Sequence, residues 1–270
     1  MSRLKLPPCV LTIAGSDPGG SAGIQADVKT FAAHGVHGLS AIAAITAQNT
    51  REVTAVRVLP AALLLAQLDA LRADFNIAAV KIGMLGNWAN VRAVARWLRT
   101  QQLHNIVVDP VLISSSGRSL LDTRGLAALR DELLPLADVL TPNLPEAHAL
   151  LGADATGDAV AMAQCLRALG ARAVLLKGGH ANSARVVRDA FVDARGVLIY
   201  AHARRAYAAR GTGCTLASAI AAGLARGRTL RAAVEAAEAH LQSAYSRARV
   251  IGRGAARVLQ QIETGTSRRR

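Results

Sequence analysis

The sequence contains few aromatic residues and few cysteines. Phe, Trp and Tyr make up 3% of its 270 residues, although hydrophobic residues make up 51%, so the core must consist mainly of Ala, Leu, Val and Ile. Such a core suits helices that pack on a mostly buried parallel sheet. The three cysteines, Cys9, Cys165 and Cys214, are far apart and form no C-x-x-C pair. Their pattern suggests neither a disulfide framework nor a zinc site, and it fits a reducing compartment.

Long apolar runs are also missing. No run reaches the roughly 18 residues that a membrane-spanning helix needs. The short apolar stretch at residues 9–14 continues into a Gly-rich turn instead of a cleavage site. We therefore expect a cytoplasmic protein without a membrane partner.

Acidic residues are scarce, because 18 Asp and Glu stand against 32 Lys and Arg and leave a net charge of +14. The excess is local, since residues 201–270 contain 13 Arg and three Glu. A nucleic-acid partner would explain such a patch, but the sequence contains no nucleic-acid-binding motif. We favour a solvated helix face, a positive rim that attracts an anionic nucleotide, and a disordered basic tail at residues 263–270.

Strand and helix patterns alternate along the chain, which predicts a parallel sheet in a single α/β domain at residues 1–262. Apolar strands are predicted at 9–14, 39–46, 53–59, 78–82, 105–109, 138–140 and 173–176. Residues 186–200 differ, because two strands that meet at Ala194, Arg195 and Gly196 predict a β-hairpin. Two Ala-rich helices, predicted at 212–225 and 230–249, complete the domain.

A Gly-rich segment, RGTGCT at residues 210–215, precedes the first of these helices. Gly211 and Gly213 allow backbone N–H groups, including that of Thr212, to converge at a helix N-terminus, where the dipole favours a phosphoryl group. Cys214 would lie in the first helical turn, where the pKa of a thiol is lowered and its thiolate can act as a base or nucleophile. The alternatives are a tight packing loop and an inert buried cysteine.

A second Gly-rich segment, residues 14–27, passes from a strand through a loop into a helix, and ligands bind at such strand ends in open parallel sheets. It contains neither a G-x-x-x-x-G-K-[ST] nor a G-x-G-x-x-G pattern, which argues against a P-loop and a dinucleotide-binding fold. Asp17 is either a helix cap or a site residue. Asp27 lies about one turn into the helix, where a ligand contact is more natural than a cap.

Further polar residues follow predicted strands and should meet at one edge of the sheet. Asp109, Asn143 and Glu146 offer oxygen atoms of the kind that magnesium accepts, although each alone could be a cap or a turn residue. Lys177 closes another apolar strand, where it can pair with a nucleotide phosphate. The alternative for Lys177 is a lysine that extends into solvent.

Eight segments, taken in order, closely resemble the hydroxymethylpyrimidine/phosphomethylpyrimidine kinases of the ribokinase superfamily. They are AGSDP at 14–18, AGIQAD at 22–27, TAQNT at 46–50, KIGML at 81–85, VDPV at 108–111, TPNLPEA at 141–147, KGGH at 177–180 and GTGCT at 211–215. The resemblance implies a ribokinase-like α/β fold, in which helices flank both faces of a central, mostly parallel sheet. It also implies two phosphorylations that use ATP and magnesium, first of 4-amino-5-hydroxymethyl-2-methylpyrimidine and then of its monophosphate, and a homodimer.

Carried over by position, the resemblance assigns roles to individual residues. The pyrimidine pocket would contain Gly15, Asp27, Gln48, Met84 and Val111. The magnesium ligands would be Asp109 and Glu146, and the ATP contacts would be Asn143, Lys177 and Thr212. The anion hole would consist of Gly211, Thr212 and Gly213. Cys214 would accept the proton of the substrate hydroxyl.

Arg210 departs from the family pattern, because the family usually has His at this position. The change could strengthen a phosphate contact or alter the packing of the loop. Two rival functions remain. One is a pyridoxine or pyridoxal kinase of the same superfamily, which Gln48 and Met84 disfavour, and the other is a non-catalytic ligand-binding protein on this fold, which the intact metal, lysine and cysteine positions disfavour.

Overall fold

The computed structural model describes residues 6–113, 117–180 and 185–263. Its main sheet consists of β1 (Cys9–Ser16), β2 (His37–Gln48), β3 (Val53–Val58), β4 (Ile77–Ile82), β5 (Ile106–Val108), β6 (Val139–Leu140), β7 (Val174–Leu176), β8 (Val186–Asp193) and β9 (Gly196–Ala203). The order across the sheet is β3-β2-β1-β4-β5-β6-β7-β8-β9. A separate short pair joins β10 (Ala209–Arg210) to β11 (Arg257–Val258).

Six neighbouring strands pair in parallel at the centre of the sheet, in the order β2, β1, β4, β5, β6 and β7. The edges are antiparallel, because β3 pairs with β2 at one side and the hairpin of β8 and β9 pairs with β7 at the other. This arrangement brings the carboxyl ends of the parallel strands to one edge of the sheet.

Eight α-helices cover the sheet in the described ranges. They are α1 (Gly23–Ala33), α2 (Ala61–Asp74), α3 (Trp88–Gln101), α4 (Thr123–Ala128), α5 (Leu144–Leu151), α6 (Ala159–Ala168), α7 (Thr212–Ala225) and α8 (Leu230–Ser246). Leu11 and Ile13 of β1 belong to a core that includes residues of α2, α3, α5 and α6. Val10 belongs to the opposite core, with residues of α1, α7 and α8. Successive strand residues therefore face opposite helical layers, which confirms the predicted fold class.

Helix α7 is buried on nearly all sides. Every residue from Thr215 to Leu224 is buried, and most of them are small. A side chain at Gly223 would bring its Cβ within 3.0 Å of the Cβ of Ala233 on α8. This close approach explains why small residues predominate on α7, which lies in the middle of a core and is mostly apolar.

The predicted boundaries agree with the structure to within a few residues. The β-hairpin is confirmed, α7 has the predicted bounds, and α8 ends at Ser246 instead of residue 249. The tail predicted at 263–270 lies outside the described residues except for Glu263, whose Oε1 pairs with Arg247 Nη1 at 2.8 Å. Within the described part of the chain, no helix combines the length and apolarity that crossing a bilayer requires.

Candidate active site

The carboxyl ends of the parallel strands open into a cavity of about 800 Å³, where sheets of this kind bind their ligands. Twelve of the thirteen residues proposed for the site line it, namely Gly15, Gln48, Met84, Asp109, Val111, Asn143, Glu146, Lys177, Gly211, Thr212, Gly213 and Cys214. Asp27 is the exception, because it is fully buried beneath the cavity wall. The fold therefore brings together segments that are far apart in the sequence.

Asp109 and Lys177 form a charged pair just beyond the ends of β5 and β7. Lys177 Nζ donates to Asp109 Oδ1 at 3.1 Å, and the Asp109 side chain is 3% exposed. Burial opposes the charge of the lysine, but the neighbouring carboxylates of Asp109 and Glu146 raise the pKa of Lys177 above its usual value. Lys177 therefore remains a cation that faces the cavity.

Asn143 and Glu146 cap the start of α5 reciprocally. Glu146 Oε2 accepts from the backbone N–H of Asn143 at 2.8 Å, and Asn143 Oδ1 accepts from the backbone N–H of Glu146 at 2.9 Å. The capping alternative thus holds for both residues. It also leaves the amide NH₂ of Asn143 as a donor and fixes the carboxyl group of Glu146 at the cavity wall.

The charged groups around Asp109 carry an excess of negative charge that a cation could balance. Burial, together with the charge of Asp109, raises the pKa of Glu146 to about 7, although the charge of Lys177 opposes the change. Two carboxyl groups therefore share one ammonium group. Oxygen donors with an excess of negative charge fit a hard divalent ion such as magnesium.

The N-terminus of α7 lies beside this charged pair. Gly211 has φ 77° and ψ 14°, and any Cβ there would run into the carbonyl oxygen of Ser21, so glycine is required. A Cβ at Gly213 would lie 3.2 Å from Lys177 Nζ and 3.3 Å from Asp109 Oδ2. The geometry brings free helical N–H groups, a lysine and a carboxylate to one point, as a phosphoryl group requires.

Cys214 lines the cavity, but its thiol is less acidic than the helix position alone predicts. Burial, together with the charges of Asp27 and Asp109, raises the pKa of Cys214 to about 11, although the charge of Lys81 opposes the change. The pKa of Cys214 is thus raised, whereas the position at the start of a helix predicted a lowered value, because burial outweighs the favourable charge of Lys81. The thiol is protonated near neutral pH.

Lys81 lies near the carboxyl end of a predicted strand, but the sequence alone assigned it no role in the site. It is the last residue but one of the apolar strand β4, is fully buried, and belongs to the lining of the cavity. Asp27 Oδ2 accepts from Lys81 Nζ at 2.9 Å and from Thr12 Oγ1 at 2.6 Å, while Asp27 Oδ1 accepts from Ser218 Oγ at 2.8 Å. Burial opposes the charge, but Asp27 raises the pKa of Lys81 and keeps it cationic. A lysine inside an otherwise apolar strand was the available signal.

Gln48 and Arg210 form the other end of the cavity. Arg210 is buried, and its Nη2 lies 3.4 Å from Gln48 Oε1 while its Nε donates to Ser21 Oγ at 3.2 Å. Because a guanidinium can only donate, this contact orients the oxygen of Gln48 towards Arg210 and leaves the NH₂ group as a donor. Met84 and Val111 belong to a small apolar cluster nearby, which gives this end one polar edge and one apolar wall.

Asp17 binds backbone groups of the first Gly-rich loop and does not cap α1, whose N-cap residue, Ala22, has no side-chain cap hydrogen bond. Asp17 Oδ2 accepts from the backbone N–H groups of Ser21 and Ala22 at 3.0 and 2.8 Å, and its Oδ1 accepts from Gly19 N at 2.8 Å. Asp17 therefore fixes the first Gly-rich loop, and Ser21 joins this loop to Arg210 across the cavity.

Known proteins of similar sequence and fold are kinases. The chain matches the phosphomethylpyrimidine kinase family over residues 17–259. A hydroxymethylpyrimidine/phosphomethylpyrimidine kinase from Rhizobium meliloti is 50% identical over 243 residues, or 88% of this chain and 90% of the relative. The crystal structure of a phosphomethylpyrimidine kinase from Clostridium difficile is 37% identical, with a TM-score of 0.77 over 88% of this chain and 99% of that one. The pyridoxal kinase of Staphylococcus aureus, in complex with AMP-PCP and pyridoxal, is 30% identical, with a TM-score of 0.85 over 95% and 94%.

Breaking the buried Lys81–Asp27 pair should destabilise the fold. We expect Asp27→Asn to lower the free energy of unfolding by about 3–5 kcal/mol, because it leaves a buried ammonium without its counter-charge. The double variant Asp27→Asn with Lys81→Met should recover much of this loss. Arg172→Met removes a pair with Asp138 whose arginine side chain is 79% exposed, and it should cost less than about 1 kcal/mol. Urea unfolding measures all three, and equal effects of Asp27→Asn and Arg172→Met would contradict the prediction.

Proposed function

The chain belongs to the phosphomethylpyrimidine kinase family and is a phosphotransferase of thiamin biosynthesis, and we propose how its cavity carries out the two phosphorylations. The acceptors are 4-amino-5-hydroxymethyl-2-methylpyrimidine and its monophosphate, and ATP is the donor. The observation that supports this most strongly is the convergence of Asp109, Lys177 and the start of α7 within one cavity. A homodimer and a cytoplasmic location remain predictions from the sequence.

The pyrimidine would bind at the end of the cavity formed by Gln48, Met84 and Val111. The NH₂ group of Gln48, oriented by Arg210, can donate to a ring nitrogen, while Met84 and Val111 contact the ring face. Gly15 allows close approach, because a Cβ there would lie 3.0 Å from Met84 Sδ. Asp27 would act indirectly, through Lys81.

The phosphates of ATP would lie between Lys177, Asn143 and the start of α7. The backbone N–H groups of residues 211–213 would receive the negative charge that develops on the transferred group. Asp109 and Glu146 would hold magnesium, which would neutralise charge between the β and γ phosphates. Preorganised positive charge and hydrogen-bond donors are what such a transfer needs most, because little covalent chemistry falls to the protein.

Cys214 would accept the proton of the alcohol in the first phosphorylation. Its thiol has a pKa of about 11, so the thiolate is rare at neutral pH. Below that pKa, the thiolate fraction rises about tenfold when the pH increases by one unit. The second acceptor is a phosphate monoester that is already anionic, so it needs no base.

Pyridoxal phosphorylation is the second candidate activity, favoured by the high structural similarity to a pyridoxal kinase. We expect Gln48→Ala to raise the KM for the pyrimidine alcohol about three- to tenfold, the worth of one hydrogen bond, and to lower discrimination against pyridoxal. ATP-dependent phosphorylation of both alcohols measures this. Gln164→Ala, at an exposed position of α6, is the control, and unchanged selectivity in Gln48→Ala would place the ring elsewhere.

The proposed metal ligands should affect turnover more than pyrimidine binding. We expect Asp109→Asn and Glu146→Gln to lower kcat and to raise the magnesium concentration needed for half-maximal rate, because each removes a charged ligand. The Kd for the pyrimidine, measured by calorimetry without nucleotide, should change little. Full activity in excess EDTA, or equal losses in kcat and pyrimidine affinity, would remove these residues from a metal site.

The role of Cys214 predicts different pH dependences for the two steps. For the wild type, the rate of alcohol phosphorylation should rise from pH 7 to 9, because the thiolate fraction rises towards the pKa of about 11. Cys214→Ala should lower this rate by about 10² to 10⁴ and flatten its pH profile, and Cys214→Asp should recover part of it with a flat profile. The monophosphate step should lose much less.

The matched control is Cys165→Ala, which removes a cysteine of similar exposure on α6. It should leave both steps unchanged. If Cys214→Ala slows the alcohol and the monophosphate equally, Cys214 shapes the anion hole and does not transfer a proton.

A further inference from the structure

A second group of ionisable side chains lies beside the catalytic residues and has no role in the chemistry described above. It consists of Asp189 on β8, His202 on β9 and Glu238 on α8, and one ligand atom from each residue lies within 4.8 Å of the others. Asp189 and His202 line the main cavity, so the group can be reached from solvent. We call these three residues the β8–β9–α8 cluster.

Glu238 is the unusual member of the β8–β9–α8 cluster. It is 6% exposed, and both of its carboxyl oxygens are buried without a hydrogen-bond partner among the residues that the structure describes. A buried carboxylate without partners is costly, since such groups are normally hydrogen-bonded or bound to a metal. Burial and the charge of Asp189 raise the pKa of Glu238 to about 8. A bound cation would remove this penalty.

We propose that Asp189, His202 and Glu238 bind one divalent transition-metal ion of the zinc type. Two carboxylates and a neutral imidazole balance a charge of +2, and an imidazole ligand favours zinc-type ions over magnesium. Ligand atoms in a tetrahedral zinc site are about 3.3 Å apart, and Asp189 Oδ2 lies 3.6 Å from His202 Nε2. The ligand atom of Glu238 lies within 4.8 Å of the other two, so a change of side-chain position by about 1–2 Å would complete the set.

The surroundings of the cluster already orient two of the ligands. Asp189 Oδ1 accepts from the backbone N–H of Gly178 at 2.6 Å, which leaves Oδ2 for the metal. His202 Nδ1 lies 3.4 Å from the carbonyl oxygen of Ala203. When Nδ1 donates there, Nε2 carries the lone pair that a metal needs.

The site would be coupled to the catalytic residues through the chain itself. Gly178, which Asp189 holds, directly follows Lys177. An ion that fixes Asp189 would therefore fix the turn that carries the catalytic lysine. Its expected role is to rigidify this side of the cavity, which does not depend on the identity of the acceptor substrate.

Zinc titration of the full-length, chelator-treated protein tests the proposal. Isothermal calorimetry should detect one tight site in the wild type, and ZnCl₂ should raise the Tm. Glu238→Gln and His202→Ala should each weaken zinc binding by at least about 10- to 100-fold, because loss of a direct ligand should cost no less than loss of an outer partner. Glu235→Gln, an exposed position on the same helix, should bind zinc like the wild type.

The proposed magnesium site could also capture zinc, so Glu146→Gln is titrated in parallel and should retain the tight site. Co²⁺ provides a spectroscopic check, because its visible absorption bands should appear in the wild type and be lost in Glu238→Gln. Circular dichroism establishes that each variant is folded. Absence of zinc binding in the wild type, unchanged binding in Glu238→Gln, or loss of the tight site in Glu146→Gln would each overturn the proposal.

Discussion

The carboxylate of Asp27 holds the floor of the active site together. Its two oxygens bind Thr12 on β1, Lys81 on β4 and Ser218 on α7, and Asp27 itself lies on α1. Four elements are therefore joined at one buried charge. Because α7 carries the anion hole at its N-terminus, the distance between that helix and the strand ends depends on this contact. A buried charge with three partners also fixes one arrangement more strictly than apolar packing, which tolerates small shifts.

The cavity combines paired and unpaired charges. Lys81 pairs with Asp27, and Lys177 pairs with Asp109, so both ammonium groups remain charged although Lys81 is fully buried and Lys177 partly buried. Glu146 and Glu238 have raised pKa values of about 7 and 8 because burial is not offset by a full counter-charge. The first of these faces the proposed phosphate region, where ATP brings its own cation. Glu238 lies away from the phosphate region, so the cation of ATP does not explain its buried carboxyl group.

The sequence predicted the sheet, and it predicted that the proposed site residues would meet at one edge of it, because apolar strands and Gly-rich turns are local signals. The strand ends at Asp109, Asn143 and Lys177 could be placed at one edge from the parallel topology alone. The side chain that each of these residues contacts could not be predicted in this way. The contact between Arg210 and Gln48, and the pKa of Cys214, depend on side chains that meet only after folding. Asp27 was selected as a ligand contact, but its burial assigns it a supporting position.

The burial of α7 has a consequence for the synthesis of the chain. Strands β1 to β7 leave the ribosome before residues 212–225, and Val10, Ala79, Val107 and Val139 face the layer that α7 later covers. Until the last quarter of the chain emerges, this apolar face is covered only in part, by α1, and can associate with other nascent chains or bind chaperones. The helix that completes the phosphate site is thus also the one that ends this vulnerable interval. A product that terminates early lacks both the anion hole and the cover that keeps its sheet from aggregating.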